Sequence, residues 1–554
     1  MTELYKSKSF FWGVFLIFCA IWFYALGTRT LVPSDEGRYA EMAREMVTTG
    51  DWITPRLNGI KYFEKPPLQA WMNALTFKVF GLGEWQARLW TGLCGLFGIL
   101  ITAFTGNRLF GSRIGFYAGL VLASTLYWAA LGHVNTLDMG LSAMMTLALC
   151  SLLLAQHKDA TATEQRNWMF ACWAGMALAV LSKGLIGIVL PGAVLVLYTL
   201  VSRDWAIWKR LHLLSGLLLF FAISAPWFIL VSLKNPEFPH FFFIHEHFQR
   251  FVSKVHHREG AWYYFIPILL LGIMPWLPLL PQSLAGALRE ERHGFQPRMM
   301  LLIWCVFIFF FFSISGSKLP SYILPIFPAL ALLIALQLKH ASNRMLAVAA
   351  GLLAVAGAVG LAYAGKVPHL TQNPFELPLY QAYVPWVTAG AATVLVGGLA
   401  AIAFARSRRE WSLLVLGLFT FISGQLLMLG HEPLGRYKAG LDHVPKIAAE
   451  LAPDTPLYGV NIYEQSIPFY LGRTMTLVGS ADEMQFGVDQ EPQLWIPKRD
   501  EFVRRWNEAR ATGKKALAIM YPTSFEQLKK DGLPMRVISR DPRRVIVANN
   551  DIKQ

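Results

Sequence analysis

The chain has 554 residues, 55% hydrophobic and only 15% charged, with 50 Lys and Arg against 35 Asp and Glu and a formal net charge of +15. Soluble chains carry about a quarter charged residues, so a soluble protein of this size is excluded. In so apolar a chain the basic excess points to positive-inside bias and anionic headgroups, not to nucleic acid.

A helix needs about 20 apolar residues to cross the hydrocarbon. About 13 runs qualify, near 10–27, 84–105, 112–131, 137–156, 167–182, 184–201, 211–232, 262–283, 299–315, 320–338, 344–364, 384–405 and 411–430. The first lacks a small-residue cleavage site and reads as a retained span. All five cysteines (Cys19, Cys94, Cys150, Cys172, Cys305) fall in apolar runs and read as small buried hydrophobes.

Lys and Arg in the short loops set the orientation. With Lys6 and Lys8 in the cytoplasm, Arg108, Arg113, Lys158, Arg166, Arg203, Lys209, Arg210, Arg289, Arg292, Lys339, Arg344 and the cluster Arg406, Arg408, Arg409 fall on the same side. The short loops opposite hold only Lys183, Lys318 and Lys366. Two long loops, about 28–83 and 233–261, then lie outside, as does everything after Gly430. Residues 1–430 read as a membrane domain and 431–554 as a small soluble α/β domain, with strand-like runs such as PLYGVNIY, ALAIMY and RRVIVAN.

Residues with chemistry concentrate on that outer face. In LVPSDEGRYAEMAREM, Tyr39, Met42, Ala43 and Met46 recur at helical spacing. A helix lying on the membrane would bury that face and expose Glu41, Arg44 and Glu45. Asp35 either caps this helix with Ser34 or faces a site, with Arg38 one turn in. In KYFEKPPLQAWM the prolines suit a first helical turn. Glu64 and Lys65 stand at the helix entrance, as a solvated pair or as an anion site favoured by the dipole. Asp138 in HVNTLDMGL sits at the outer end of an apolar run, where it caps the span or meets a polar partner. The segment FPHFFFIHEHFQRFVSKVHHREGAWYYF carries His245, His247, Arg250, Lys254 and further cations among aromatics, and reads as a basic belt for phosphorylated headgroups. If a divalent ion takes part, Glu64 and His245 are the candidates. LSKGLIG and SGSKLPSYILP each place a lysine, Lys183 and Lys318, in a tiny outer loop, the second with Tyr322. Together these residues suggest cations converging on a phosphate, carboxylates on hydroxyls or an amine, and aromatics on a sugar face.

This arrangement resembles the GT-C class of polytopic glycosyltransferases, related to the protein O-mannosyltransferases. More narrowly, DEGRYAE, YFEKPPL, LSKGLIG, HFQRF and GSKLPSYILP resemble the lipid A aminoarabinose transferase family over nearly the whole chain. The resemblance implies a GT-C fold of about 13 transmembrane helices with a small C-terminal periplasmic α/β domain, in the bacterial inner membrane. It implies transfer of 4-amino-4-deoxy-L-arabinose from undecaprenyl phosphate to a lipid A phosphate, with resistance to polymyxin as the consequence. Asp35 and Asp138 match the catalytic acids by resemblance. Lys65, Lys183, Arg250 and Arg38 match donor-phosphate positions, and Tyr39, Tyr62 and Tyr322 the sugar pocket. Partners are the donor lipid, lipid A and membrane lipids; a monomer is expected. Two alternatives remain: a related transferase acting on protein hydroxyls or another glycan, which would need Asp35 as a true base, and a lipid or sugar transporter.

Overall fold

In hydrocarbon every backbone N–H must be paired within the protein, so the apolar runs fold as helices. The computed structural model describes residues 7–249, 260–289 and 294–550, the side chains of 247–249 excepted. Among these residues, nine helices are long and apolar enough to span: Lys8–Gly27, Glu84–Phe110, Leu137–Ala155, Leu213–Lys234, Pro297–Ile314, Pro320–His340, Asn343–Ala364, Leu377–Ala405 and Arg409–Gly430. The other four expected spans are built differently. The run 112–131 breaks at Thr125 into Ser112–Ser124 and Leu126–Leu131. Ala162–Lys183 opens on the polar ATEQRNW, and Ile186–Ser202 has 17 residues. The run 262–283 is a helix pair, Phe265–Gly272 and Leu277–Ala287, bent by 111°. Prolines at 275, 278 and 281 remove backbone donors around that bend. Four cysteines are buried, Cys19 is half-buried, and all five are free thiols.

The first long loop forms helix Asp35–Thr49, a two-stranded hairpin of β1 (Arg56–Leu57) and β2 (Ile60–Lys61), and helix Leu68–Phe80. The prolines at 66 and 67 precede that last helix instead of opening it, with Pro67 as its N-cap residue.

After Gly430 a sheet forms from β3 (Leu457–Val460), β4 (Thr476–Val478), β5 (Trp495–Ile496), β6 (Leu517–Met520), β7 (Arg536–Arg540) and β8 (Val545–Ala548), in the order β5-β4-β3-β6-β8-β7. The first four strands run parallel and β8 pairs antiparallel with β6 and β7. Parallel strands need cover on both faces. Alternate residues show where the cover comes from. Tyr458, Val460, Val478, Ala518, Met520, Val545 and Val547 pack with Phe502, Trp506, Phe525 and Leu528 of the domain's own helices. Leu457, Leu477, Leu517, Ile519, Ile546 and Ala548 instead share a core with Tyr39, Met42, Met46, Leu57, Ile60 and Phe77 of the first long loop.

This corrects the reading of helix Asp35–Thr49 as a membrane-surface helix. Its apolar stripe is shared with helix Leu68–Phe80 and the sheet, and Glu41, Arg44 and Glu45 are buried too. Burial is tolerated because Arg44 makes a two-pronged pair with Glu41, at 2.7 and 2.6 Å, and reaches the Gly472 carbonyl at 3.2 Å. Glu45 accepts the Gly59 N–H at 2.8 Å. Burial, then the nearby Glu41 carboxylate, pushes the Glu45 carboxyl up to about 8. The folded state therefore holds this proton where the unfolded chain has lost it. Stability from this group falls as pH rises from the ordinary carboxyl range through 8. Glu45→Gln is expected to raise the unfolding midpoint by a few degrees at pH 8.5 and to leave it unchanged at pH 4, measured by thermal unfolding in detergent. An equal gain at both pH values would show that the carboxyl does not titrate in this way.

Candidate active site

The polar groups of the loops converge because one buried ion pair fixes their backbones. Arg88, in helix Glu84–Phe110, is fully buried and binds Glu36 through Nε at 2.6 Å and Nη2 at 2.8 Å. It also donates to the carbonyls of Leu26, Arg29 and Thr30 at 2.9, 2.6 and 2.9 Å. Burial alone would raise the Glu36 carboxyl, but Arg88 outweighs it and holds Glu36 down to about 2. Glu36 accepts the Asn135 N–H at 2.9 Å, and the Asn135 amide donates back to the Glu36 carbonyl at 3.1 Å. Gln69 and Asn73 both donate to the Asn135 amide oxygen at 2.9 Å. These contacts lock together the segments that carry Asp35, Lys65 and Asp138.

Between them lies a cavity of about 610 Å³. Asp35, Arg38, Tyr39, Glu64, Lys65, Asp138, Lys183, Glu246 and Tyr322 line its polar part. Leu137, Leu141, Leu185, Ile186, Val189, Phe243, Phe311, Phe312, Leu319 and Pro325 line the rest. Asp35 pairs with Arg38 at 3.2 Å, its own side chain 46% exposed. It is the first residue of its helix, and the Ser34 side chain makes no capping bond. Asp138 forms an ion pair with Lys183, whose ammonium lies 4.8 Å from the Tyr322 ring centroid. The partner that the expense of an acid at membrane depth demands is therefore Lys183. Lys65 lies 3.3 Å from Glu246 and 3.9 Å from Glu64, so its cation is shared between two carboxylates.

Of the sequence-derived residues, the structure brings Asp35, Arg38, Tyr39, Glu64, Lys65, Asp138, Lys183 and Tyr322 to one cavity. Tyr62 is not in the wall: it is buried behind Arg38, its ring centroid 5.9 Å from the guanidinium carbon. Lys318 turns away to donate to the Ser315 carbonyl at 2.5 Å. Arg250 lies outside the described residues. Burial, then the Asp35 carboxylate, pushes the Tyr39 phenol well above its usual range, so it stays a neutral hydrogen-bond donor. His245 is half exposed, its Nδ1 3.7 Å from Glu246. Among the described residues no three His, Cys, Asp or Glu side chains are grouped to hold a metal.

Two residues of the site gave no signal in the sequence. Glu246 stands between histidines in the aromatic segment, yet it is buried against Lys65. Glu483 belongs to the C-terminal domain and binds Arg38 at 2.7 Å, held in turn by the Gln465 amide at 2.6 Å. Burial, then the approach of Glu64 and Asp482, raises the Glu483 carboxyl, while Arg38 and Gln465 oppose the rise. The α/β domain thus reaches the edge of the cavity through Arg38.

A many-helix membrane body, with an α/β domain reaching the edge of a polar cavity, defines a GT-C-class membrane glycosyltransferase. Residues 64–230 match the family model for dolichyl-phosphate-mannose-protein mannosyltransferase, and 443–549 that for the aminoarabinose transferase C-terminal domain. An undecaprenyl phosphate-α-4-amino-4-deoxy-L-arabinose arabinosyl transferase of Erwinia tasmaniensis is 32% identical over 69% of this chain and 72% of that protein. One from Aeromonas salmonicida is 35% identical over 63% of this chain and 64% of that protein, so this chain aligns with less than two thirds of its length. The crystal structure of ArnT from Cupriavidus metallidurans bound to undecaprenyl phosphate superimposes with a TM-score of 0.94 at 43% identity, covering 99% of each chain. An Archaeoglobus fulgidus oligosaccharyltransferase, 14% identical with a TM-score of 0.54 over 93% of this chain and 70% of that one, shares the fold alone. The chain belongs to the undecaprenyl phosphate-aminoarabinose arabinosyl transferase family, and it is a multi-pass membrane protein.

Proposed function

We propose that this protein moves 4-amino-4-deoxy-L-arabinose from undecaprenyl phosphate to a phosphate of lipid A, at the periplasmic face of the inner membrane. The observation that carries this reading is the charge count of the cavity. Among its described lining residues, four carboxylates (Asp35, Glu64, Asp138, Glu246) meet three cations (Arg38, Lys65, Lys183), beside a long apolar wall. A neutral sugar phosphate would call for a surplus of cations. A headgroup that carries an ammonium as well as a phosphate gives both the carboxylates and the cations of this set a partner, and the apolar wall suits the first isoprene units.

The chemistry follows from the acceptor. A phosphate monoester has its second pKa near ~6 and is mostly ionised at neutral pH, so no strong base is needed. Its oxygen attacks the anomeric carbon in line and the bond to the donor phosphate breaks, inverting that centre. Asp35 and Asp138 orient the amino sugar and stabilise positive charge developing at the anomeric carbon. Lys65, with Lys183, Arg38 and Arg250, stabilises the departing undecaprenyl phosphate. Tyr39 and Tyr322 offer ring faces and neutral hydroxyls to the sugar. A cytoplasmic N-terminus and periplasmic C-terminal domain follow from the loop charges. The added ammonium makes the outer surface less anionic and weakens binding of polymyxin and cationic peptides.

The test is a mass spectrum of lipid A from cells that make the donor, with and without this chain. Pentosamine-modified lipid A only when the chain is present is the expected result. Unmodified lipid A, with labelled sugar instead in protein or another glycan, would overturn the assignment of the acceptor.

A further inference from the structure

One short helix of the C-terminal domain, Gln485–Gln490, is pinned to the first long loop at both ends. Just before it Glu483 binds Arg38 at 2.7 Å, and just after it Glu491 binds Arg56 through two contacts at 2.8 and 3.0 Å. Between these anchors the helix lies directly on strand β2. A Cβ at Gly487 would run into the Lys61 carbonyl oxygen and the Ile60 side chain, so only glycine permits this approach.

That seat aims Phe486 at two segments that meet in the cavity. Its ring centroid lies 3.9 Å from that of Phe241, the planes 25° apart, and 6.2 Å from that of Phe63. Phe63 stands two residues before Lys65. Phe241 belongs to helix His240–Gln249, and the His245 ring stacks on it at 5.1 Å. Glu246 comes next, buried, with its carboxylate 3.3 Å from the Lys65 ammonium. Phe63 and Phe241 are buried as well, and Phe238 meets Phe63 edge-on at 5.3 Å. A single ring of the C-terminal domain thus bridges the segment that carries the cation and the segment that carries its carboxylate. Aromatic pairs are directional, and one is worth a factor of roughly 2–10 in an equilibrium.

We propose that Phe486 is a positioning residue for release of the sugar-free carrier: through Phe241 it holds Glu246 against Lys65, so that the carboxylate takes the ammonium back from undecaprenyl phosphate after transfer. The proposal rests on the transferase reading and on Lys65 as the leaving-group cation. The step exchanges one ionic partner for another and makes or breaks no covalent bond. A carboxylate tethered beside the ammonium competes at high effective concentration, and a loosened tether lowers that concentration. The C-terminal domain therefore sets how tightly the carrier is held without touching it.

The full chain in detergent is titrated with undecaprenyl phosphate, which carries no sugar, so the binding readout does not depend on transfer. Phe486→Ala, Phe486→Leu and Phe486→Tyr are compared with wild type, each alone and combined with Glu246→Gln. Leucine keeps apolar bulk without the ring and carries the test if the alanine variant does not fold. The expected result is about two- to tenfold tighter binding by Phe486→Ala and Phe486→Leu and wild-type affinity in Phe486→Tyr. Neither loss of the ring changes affinity further once Glu246 is glutamine. Unchanged affinity in Phe486→Leu, or an equal change in the Glu246→Gln background, would overturn the proposal. Weaker binding by Phe486→Leu would overturn it too, because the ring would then only support the cavity wall. The expected binding pattern in a chain that transfers no aminoarabinose to lipid A would overturn the transferase reading and leave the coupling of Phe486 to Glu246 standing.

Discussion

Lys65→Ala is expected to lower sugar transfer by about 10²–10³-fold, the usual loss when one preorganised charge-stabilising donor is removed. The expectation rests on what surrounds the ammonium. Glu246 at 3.3 Å and Glu64 at 3.9 Å share it, and the other cations of the cavity have their own carboxylates, Arg38 with Asp35 and Glu483, Lys183 with Asp138. A departing phosphate near Lys65 must compete with Glu246 for that charge. Without the lysine the phosphate would meet Glu64 and Glu246 with no ammonium between them, so the barrier rises as negative charge accumulates on the leaving oxygen. Lys65→Arg should lose less than Lys65→Ala because the charge remains. Glu246→Gln should preserve turnover and lower the apparent KM for the donor, since it removes the competitor. Transfer of labelled sugar from purified donor measures all three, with the unfolding midpoint as a check on folding. Wild-type turnover in Lys65→Ala would remove Lys65 from the leaving-group site.

Much of this was legible in the sequence for a simple reason. The hydrocarbon imposes length and polarity on each span, and loop lysines and arginines impose the side, so the sequence alone groups Asp35, Lys65, Asp138 and Lys183 on one face. Periodicity reports which stripe of a helix is apolar, but not what covers it. Tyr39, Met42 and Met46 were read against lipid, whereas the sheet some 400 residues later in the chain covers them. For the same reason Glu41, Arg44 and Glu45 read as solvated. Glu246 and Glu483 were illegible because their meaning lies in long-range partners: each is an ordinary glutamate until Lys65 or Arg38 is placed beside it. Arg88 sits near the start of an apolar run, where periodicity does not mark it, and its side chain points into the fold and is fully buried.

Arg88→Ala is expected to cost about 3–5 kcal/mol of stability, the range seen when one partner of a buried ion pair is removed. Glu36 would keep a charge in a buried site, and the carbonyls of Leu26, Arg29 and Thr30 would lose a donor. Arg88→Lys should recover little, because three ammonium protons cannot satisfy two carboxylate oxygens and three carbonyls in a fixed fork. A double replacement by apolar residues should fail as well, since it relieves the charge but leaves the carbonyls. The pH dependence has a definite sign. The Glu36 carboxyl is held down to about 2, so its stabilisation is fully present above the ordinary carboxyl range and is lost as pH falls from about 4.5 toward 2. The damage should also reach the reaction. Glu36 holds the Asn135 N–H at 2.9 Å, three residues before Asp138, and directly follows Asp35, so loosening it changes the spacing of the two acids. Thermal unfolding in detergent measures the first effect and turnover of the surviving folded fraction the second. An Arg88→Ala protein with a wild-type midpoint and wild-type turnover would mean that this ion pair neither supports the fold nor sets the distance between Asp35 and Asp138.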